Sequence, residues 1–599
     1  MRILRKLKKN AGYDPIPTNI KGTILNNNTV IGESGQRIRM AKYLLAGLAV
    51  AVLLVGFVVG RLQPRYETND DVVMQMISSG QMTGIPEGNL VFTNILIGKS
   101  LALLYSKFPL GHWYAAYLYG IHIIAVTVIV LVLLLRGGRW WGAVPCAVFL
   151  AIFEIRFLLL PQFTTTAFMI GLAGVLLLLS TTIPMLVRVS VGATLILLCG
   201  LIRVDVLWIL LPMMGPLLLY AFWTSTPFPI LMGVMLGAGM ALGADHYMEV
   251  GSSSREWREF MVFNDVRGWL YDSPFHDCSI VENDLLVGAQ WSRNDFLMMK
   301  SGFMDTRSVY STERCDYFLR HSPVHIWGRL RMAVVKVIGT LREGIRWVLP
   351  GFVLIGLCMV NSRDCWRRWL MVCGALVALV LLMAIACVGT LKLRVTVPVI
   401  AAAVMTGLWL MDDHVERQKY ALGLGFWREN VLIGFTIIAV IGSLYGAGIK
   451  SRLNQRDIAS MDNKVKYLEV WRDKILILWG DMSLPFQNVA PFEPLFHGRK
   501  AASLYSVGWM SQSPYNEQIV VGQHARDILL AMLNSDSFRL VLEEPSSSWL
   551  GVLGEFYREH YGERVQFGCE GTFSGGVGDI PIKVYKVSRV VMPPPTAGI

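Results

Sequence analysis

Long apolar stretches alternate with short charged connections along most of the chain. The first stretch, 43–60, reads YLLAGLAVAVLLVGFVVG, and at about 1.5 Å per residue it can cross the hydrocarbon core of a bilayer. The pattern predicts eleven crossings, and several of the middle ones are shorter than the usual span of about 20 residues. They lie at roughly 43–60, 113–135, 141–157, 162–180, 189–202, 206–223, 228–247, 346–360, 369–389, 395–411 and 430–448.

The distribution of lysine and arginine gives the predicted orientation. The segment 1–42 is rich in basic residues, which keeps the N-terminus in the cytoplasm, and an odd number of crossings then puts the C-terminus outside. Composition agrees with a polytopic membrane protein, since 54% of residues are hydrophobic, 16% are charged and the mean hydropathy is +0.48. The net charge of +12 is better explained by orientation and by anionic lipid than by nucleic-acid binding.

Three polar regions are predicted on the outer side: the loops 61–112 and 249–342, and the tail 449–599. The first loop contains NILIGKSLALLYSKFPLGHWY, an amphipathic stretch that suits a helix in the membrane interface. The tail alternates strand-like runs, such as ILILWG, FRLVLEE and IKVYKV, with helical patterns such as HARDILLAMLN. The predicted fold is therefore an α-helical transmembrane domain, 43–448, followed by an extracytoplasmic α/β domain.

The first outer loop begins with ETNDDVVM, 67–74, which places two adjacent carboxylates just beyond the first crossing. One interpretation is structural, because Thr68 or Asn69 can cap a helix and acidic residues in a first turn complement its dipole. The other is catalytic, with Asp70 or Asp71 as a general base. The two interpretations are compatible, and the sequence does not separate the neighbouring residues.

Basic residues near predicted outer helix ends are candidates for binding a phosphate group. LKLRVTVP offers Lys392 and Arg394, for which the alternative is an interfacial pair that reaches toward lipid headgroups. LIRVDVLWILLP places Arg203 and Asp205 in an apolar stretch, where they either pair structurally or contact substrate. At a spacing of two residues they would point apart on a helix, so their pairing requires a helix break.

Further polar residues are candidates for binding substrate. In FEIRFLLLPQFTTTAF, Thr164 and Thr165 either cap a helix or bind sugar hydroxyls. The remaining candidates, each of which could instead serve its own loop or helix end, are Arg267 and Asp272 in the second outer loop and His112, His246 and Lys99 near helix ends.

Neither metal nor redox chemistry is indicated by the cysteine pattern. The nine cysteines are scattered without CxxC or zinc-ligand spacing, and a disulfide between Cys278 and Cys315 in the second outer loop is permitted but not implied. Adjacent Asp70 and Asp71 make a poor octahedral cage for magnesium. No obligatory metal is therefore expected, although a divalent cation stays possible.

The layout resembles the GT-C glycosyltransferases, which are integral membrane enzymes that use polyprenyl-phosphate-linked sugars as donors. The shared features are the first helix with its N-terminus inside, the early acidic residue in the first outer loop, the amphipathic stretch, many short spans and an outer C-terminal domain. The resemblance covers residues 43–448 and implies a catalytic carboxylate, acting as a general base, at Asp70 or Asp71. Similar basic-x-Arg strings before proline recur in this family, which implies donor phosphate binding at Lys392 and Arg394.

The resulting hypothesis is a glycosyltransferase of the bacterial cytoplasmic membrane. It would move a sugar from a polyprenyl-phosphate carrier to a glycan, lipid or protein acceptor on the outer face, with inversion at the anomeric carbon as the resemblance implies. The donor phosphate would lie against Lys392, Arg394 and Arg203, and substrate against Arg267, Asp272, Asp205, His112 and Lys99. The alternatives are a lipid-linked glycan transporter or flippase, and an oligosaccharide ligase or polymerase.

Overall fold

A computed structural model of the chain describes residues 33–590, with gaps at 83, 225–226, 248–253, 273–282, 323–325, 363, 412–423, 480–487, 494–502, 524–526 and 575–580. The first helix begins at Glu33, ten residues before the predicted crossing, and the rest of the predicted 1–42 segment lies outside the described residues. The helices of the first part are α1 (Glu33–Arg61), α2 (Asn69–Ser79), α3 (Ile95–Lys107), α4 (Trp113–Phe149), α5 (Ile155–Leu159), α6 (Phe163–Leu179), α7 (Met185–Ile202), α8 (Asp205–Thr224) and α9 (Phe228–Tyr247).

Among the described residues, nine more helices lead from this part to the C-terminal sheet. They are α10 (Arg255–Asp272), α11 (Asn283–Ala289), α12 (Arg293–Lys300), α13 (Thr312–His321), α14 (Ile326–Glu343), α15 (Ile345–Asn361), α16 (Cys365–Val388), α17 (Leu393–Leu410) and α18 (Leu424–Leu468).

The chain is a multi-pass membrane protein. Among the described residues, eight helices are long and apolar enough to cross a membrane, and a ninth span results if α14 and α15, which meet at a bend of 96°, count as one. Of the eleven predicted crossings, the three at 141–157, 162–180 and 346–360 fall on helices that do not meet this length test alone. The count of eleven therefore stays a prediction.

The helical run α4 folds back on itself. The hydroxyl of Tyr119 donates a hydrogen bond to the carbonyl oxygen of Leu158, 39 residues later, over 2.9 Å. A straight helix would separate two such residues by about 58 Å. The run, continued by a π-helical turn at Leu150–Glu154 and by α5, therefore reverses direction, as two successive crossings require.

Helix α6 lies at the centre of the bundle. All 17 of its residues are buried, and its neighbours α4, α7 and α8 surround it. Because these helices shield it from lipid, α6 can be shorter than a typical spanning helix, as predicted for the middle segments.

The C-terminal region forms a five-stranded mixed sheet of β1 (Ile475–Leu478), β2 (Ser503–Ser506), β3 (Phe538–Glu543), β4 (Val565–Phe573) and β5 (Ile582–Arg589). The strand order is β2-β1-β3-β5-β4, with β1, β2 and β3 parallel and β5 antiparallel to both of its neighbours. Three helices accompany the sheet: α19 (Pro514–Gly522), α20 (Ile528–Asn534) and α21 (Trp549–Tyr561). The predicted α/β domain is confirmed, with ILIL, FRLVLE and IKVYKV as strands and ILLAMLN as a helix.

The second polar loop and the C-terminal sheet share one hydrophobic core. Side chains of α10–α13 pack in the same cluster as those of β1, β3 and α21. At its centre, the indole N–H of Trp479 donates to the carbonyl oxygen of Ser301 over 3.2 Å, and Phe303 meets the Trp479 ring edge-on at 5.3 Å. We call residues 255–322 and 469–590 together the extramembrane domain.

A buried carboxylate also ties the two segments of the extramembrane domain together. Asp305 accepts hydrogen bonds from the hydroxyl groups of Tyr505, at 2.7 Å, and Ser511, at 2.8 Å. Burial raises the pKa of Asp305 to about 6. In the same core Cys315 is buried as a free thiol, whereas Cys278, its predicted partner, lies outside the described residues.

Helix α18 connects the membrane part to the extramembrane domain without a break. It has 45 residues and continues past 448, where the sequence analysis placed the domain boundary. The boundary is therefore inside a helix, because hydropathy detects the apolar part of α18 and not its polar continuation.

Candidate active site at the end of the helix bundle

The acidic motif lies on the first turn of α2. Thr68 has the extended backbone of an N-cap residue, although its side chain makes no capping hydrogen bond to the helix backbone, and Asp70 and Asp71 follow in the first turn. The helix ends at Gly80 with φ +77°, a left-handed conformation that glycine adopts without strain. The motif thus begins a helix, as the structural interpretation expected, and it also presents two carboxylates at this end of the bundle.

Asp71 is completely buried and is held by hydrogen bonds. Its Oδ1 accepts from the hydroxyl of Tyr114 and from the backbone N–H of Phe163, each at 3.0 Å, and its Oδ2 accepts from the Thr68 hydroxyl at 3.1 Å. Burial, assisted by the charge of Asp70, raises its pKa to about 8. Asp71 therefore joins α2 to α4 and α6.

Asp70 contacts the predicted phosphate-binding string. Its Oδ2 lies 2.8 Å from Nη1 of Arg394, although the two residues are 324 positions apart in the sequence. The side chains keep 12% and 18% of their surface exposed, so the pair is accessible at one side. Lys392, the N-cap residue of α17, is fully exposed beside it.

Arg203 occupies the break between α7 and α8. The first helix ends at Ile202 and the next begins at Asp205, and Arg203 Nε donates to Asp205 Oδ2 over 3.2 Å. The predicted helix break and pairing are confirmed. Asp70 and Arg394 are both electrostatic neighbours of Arg203, so the two arginines and Asp70 form one group.

An aromatic stack supports Arg203. Its guanidinium lies 4.9 Å from the ring centre of Phe163 and 5.9 Å from that of Phe92. Phe92 stacks on Phe163 at 6.0 Å, and on its other side meets Trp509 of the extramembrane domain at 4.9 Å. Phe92 and Trp509 were not predicted, because single aromatic residues in loops carry no signal of their tertiary partners.

The loop that carries Phe92 has a strained backbone. Val91 has φ +69°, which is rare for a β-branched residue. The carbonyl oxygen of Asn89 in the same loop accepts a hydrogen bond from the Tyr515 hydroxyl over 3.2 Å. The extramembrane domain therefore contacts this loop at two points next to the site.

A second group of charges lies on the other side of the motif. Glu67 Oε1 is 2.7 Å from Nη2 of Arg156, a side chain that is only 2% exposed. Arg65 donates from Nε to Oδ1 of Asn454 over 3.0 Å, and Lys450 is an electrostatic neighbour of Arg65, Arg156 and Glu67. Glu67 stands inside the quoted motif, but its role depends on residues that are distant in the sequence.

The start of α6 corrects one prediction. Gln162, rather than a threonine, caps the helix, since its side-chain oxygen accepts from the backbone N–H groups of Thr164 and Thr165 at 2.7 and 3.2 Å. The hydroxyl of Thr164 instead accepts from Arg203 over 3.5 Å. Glutamine is an unusual cap, and the sequence favoured the hydroxyl side chains for that reason.

The other predicted substrate residues lie on other elements. Arg267 is buried on α10, where its Nε donates to Asn264 over 3.0 Å. Asp272 ends the same helix, and its side chain lies outside the described part of the chain. His112 faces the ring of Phe492 at 6.2 Å, and Lys99 is exposed on α3. No hydrogen bond or ion pair in the described part of the chain joins Asp70, Arg394 or Arg203 to His112 or Lys99.

The carboxylates of the motif are already engaged by other groups of the protein. Both oxygens of Asp71 already accept hydrogen bonds, and Asp70 is engaged by Arg394. Within the described ranges, one group has ligands of suitable type and spacing, formed by Asp295, Glu559 and His560 in the extramembrane domain. There His560 Nε2 already pairs with Asp295 Oδ1 at 2.6 Å, and Asp295 Oδ2 accepts the N–H of Ser292.

Comparison with known proteins gives only a distant likeness. No family model and no curated protein matches the chain. Among solved structures it is similar to ArnT from Cupriavidus metallidurans bound to undecaprenyl phosphate, with a TM-score of 0.37 and 12% identity over 91% of this chain and 98% of that one. The same ArnT in the apo state gives a TM-score of 0.36, with the same identity and coverage. This likeness leaves the function of the chain to be argued from its own residues.

Proposed function

We propose that this membrane protein is a glycosyltransferase that moves a sugar from a polyprenyl-phosphate carrier to an acceptor hydroxyl. The carrying observation is the 2.8 Å contact between Asp70 and Arg394, with Arg203 beside it at an accessible end of the helix bundle. It brings together a carboxylate that can take a proton and two guanidinium groups that can bind phosphate. We place this end on the outer face of a bacterial cytoplasmic membrane, with a glycan, lipid or protein as acceptor.

The donor phosphate would bind to Arg394 and Arg203. Guanidinium groups form bidentate hydrogen bonds with phosphate, and the two arginines are close enough to repel each other when no anion lies between them. A phosphate that engages Arg394 competes with Asp70 for its N–H groups. Donor binding would thereby release Asp70 from its ion pair and make its oxygen available to the acceptor.

The transfer then proceeds as a single displacement. The acceptor hydroxyl donates its proton to Asp70 while its oxygen forms a bond to the anomeric carbon of the sugar. The bond from that carbon to the phosphate oxygen breaks, and the polyprenyl phosphate leaves with the electron pair, stabilised by Arg394 and Arg203. Attack opposite the leaving group inverts the anomeric carbon.

Asp70 suits the role of base better than Asp71. Asp71 has no exposed surface, and its two oxygens already accept three hydrogen bonds. Because the oxygens of Asp71 are occupied, they are poorly placed to bind a metal ion as well. The leaving phosphate does not require one either, since it departs as a stable anion when arginines bind it. Transfer should accordingly persist after dialysis against EDTA, and loss of transfer that Mg²⁺ or Mn²⁺ restores would contradict the metal-free mechanism.

The test is transfer of radiolabelled sugar from a panel of polyprenyl-phosphate sugars to membrane acceptors by the purified protein. We expect Asp70→Asn to lower kcat by about 10²-fold or more, the usual contribution of a general base. Arg394→Gln should raise the KM for the donor and also lower kcat. Glu259→Gln is the matched control, since Glu259 pairs with Arg255 over 2.8 Å at an exposed position on α10.

Two results would contradict the proposal. The first is full turnover by Asp70→Asn in a protein whose thermal unfolding matches the wild type. The second is transport of labelled lipid across proteoliposomes, abolished by Arg394→Gln, without transfer from any donor. A requirement for a diphosphate-linked donor would instead identify a ligase or polymerase.

A further inference from the structure

The buried guanidinium of Arg156 lacks partners for most of its hydrogen-bond donors. Nη2 donates to Glu67 over 2.7 Å, whereas Nε and Nη1 are buried and have no partner in the described residues. The second oxygen of Glu67 is buried and unpartnered in the same way. Arginine keeps its charge in proteins, and unpaired buried donors are costly. The arrangement is therefore incomplete without a further polar group.

Lys450 is a second cation without a direct partner. No hydrogen bond or ion pair links its ammonium group to any residue that the structure describes, although the side chain is half-buried. Its electrostatic neighbours are the cations Arg65 and Arg156 and the carboxylates Glu67 and Asp457. Together with Lys450, these described neighbours comprise three cations and two carboxylates, a set that favours binding of an anion.

These residues lie next to the reacting centre. Glu67 is three positions before Asp70 and is an electrostatic neighbour of Arg394 as well as of Lys450. An anion held near Lys450 would therefore lie close to Glu67, which also neighbours the arginine of the proposed donor site. That is the position available to a charged group of the molecule whose hydroxyl approaches Asp70.

We propose that Lys450, with Arg65 and Arg156, forms a second anion subsite that binds a phosphate or carboxylate group of the acceptor. The assignment to the acceptor rests on the proposed function, whereas the existence of the subsite does not. The chemical class of acceptor is an anionic glycan or glycolipid. An anionic lipid headgroup offers the same chemistry, so the experiment has to separate the two sources.

The test is equilibrium binding of radiolabelled inorganic phosphate to the full-length protein in nanodiscs of phosphatidylcholine. We expect two sites in the wild type. Lys450→Ala should weaken one of them about tenfold or more and leave the other, Lys450→Arg should retain both, and Arg394→Gln should lose the other. The matched control is Lys466→Ala, an exposed lysine on the same helix.

The variants separate failure of the subsite from failure of the proposed function. Unchanged phosphate binding by Lys450→Ala would overturn the subsite, whereas unchanged binding by Arg394→Gln would count against the donor site alone. The second arm uses nanodiscs with phosphatidylglycerol. If the wild type retains this lipid against excess phosphate and Lys450→Ala does not, the cluster binds a headgroup and the acceptor assignment is wrong.

Discussion

Two neighbouring carboxylates on the first turn of α2 face different surroundings. Asp71 points into the bundle toward Tyr114 and Phe163, whereas Asp70 keeps part of its surface exposed and pairs with Arg394. Adjacent helical residues point about 100° apart, so burying one brings the other toward the mouth of the bundle. The division of roles follows from tertiary partners that the local sequence does not contain.

The raised pKa of Asp71 predicts a pH-dependent stability. With its pKa raised to about 8, Asp71 holds its proton in the folded protein up to a pH near 8, whereas the unfolded chain releases it near the ordinary carboxyl value of 3.8. Between these values the folded state binds more protons, so the free energy of unfolding decreases as the pH rises. In Asp71→Asn this contribution is absent, because the amide does not titrate.

Thermal unfolding at pH 5 and pH 8 provides the measurement. The Tm of the wild type should decrease more between pH 5 and pH 8 than the Tm of Asp71→Asn does. Glu259→Gln, an exposed substitution, should keep the pH dependence of the wild type. Equal slopes for wild type and Asp71→Asn would mean that Asp71 is ionised in the folded state across this range.

Sequence reasoning found the residues of the site more readily than their contacts. It identified Asp70, Arg394 and Arg203 from residue type and position near predicted helix ends. The Asp70–Arg394 contact spans 324 residues, a separation at which a single sequence carries no pairing signal. Glu67 and Arg156 were quoted but given no role, because an ion pair between distant loops is equally invisible.

The same limit applies to whole elements. Apolar helices were predicted well, since their hydropathy is a local property of the chain. The predicted loop before 342 contains α14, and the polar end of α18 was assigned to the tail, because neither α14 nor that end of α18 has a continuous apolar run. The break before α8 could be predicted, because Arg203 and Asp205, two residues apart, can pair only where the helix is interrupted.

The aromatic stack makes the extramembrane domain part of the site at the level of elements. Trp509 follows β2 and packs on Phe92, which in turn packs on Phe163 beneath Arg203. Aromatic pairs of this kind contribute about 0.5–1.5 kcal/mol beyond their burial. Removing the Trp509 ring should therefore leave the side chain of Arg203 less firmly positioned.

We expect Trp509→Ala to raise the KM for the donor by about 2- to 12-fold, the factor that corresponds to those energies, with a smaller change in kcat. Steady-state transfer kinetics measure this effect. Trp269→Ala is the control, because that ring lies on α10 and is 52% exposed. Identical donor KM values for Trp509→Ala and wild type would show that the stack does not support donor binding.

At the scale of the whole molecule, the extramembrane domain depends on two distant segments of the chain. Trp479 is fully buried between them, where it contacts Ser301 and Phe303. The sequence showed both segments as polar regions. It did not show that they share a core, because each carries only part of the apolar surface.

Truncating Trp479 should destabilise both segments together. A buried aromatic residue replaced by alanine typically costs about 3–5 kcal/mol. We expect Trp479→Ala to increase protease cleavage in 255–322 as well as in the C-terminal sheet, measured on the full-length protein by mass spectrometry of the fragments. Trp269→Ala should leave cleavage unchanged, and cleavage confined to the sheet would contradict a shared core.

The strand order has a consequence for how the protein is made. β5, the last of the five strands to be synthesised, is an interior strand that lies between β3 and β4. The sheet therefore stays incomplete until translation has passed residue 582. Until then the aromatic side chains of 255–322 that belong to the shared core stay exposed, although this segment has already left the ribosome. Nascent chains of this protein should consequently depend on chaperones on the side of the membrane where the extramembrane domain folds, and a premature stop codon before β5 should leave a protein whose membrane helices insert but whose extramembrane domain is degraded.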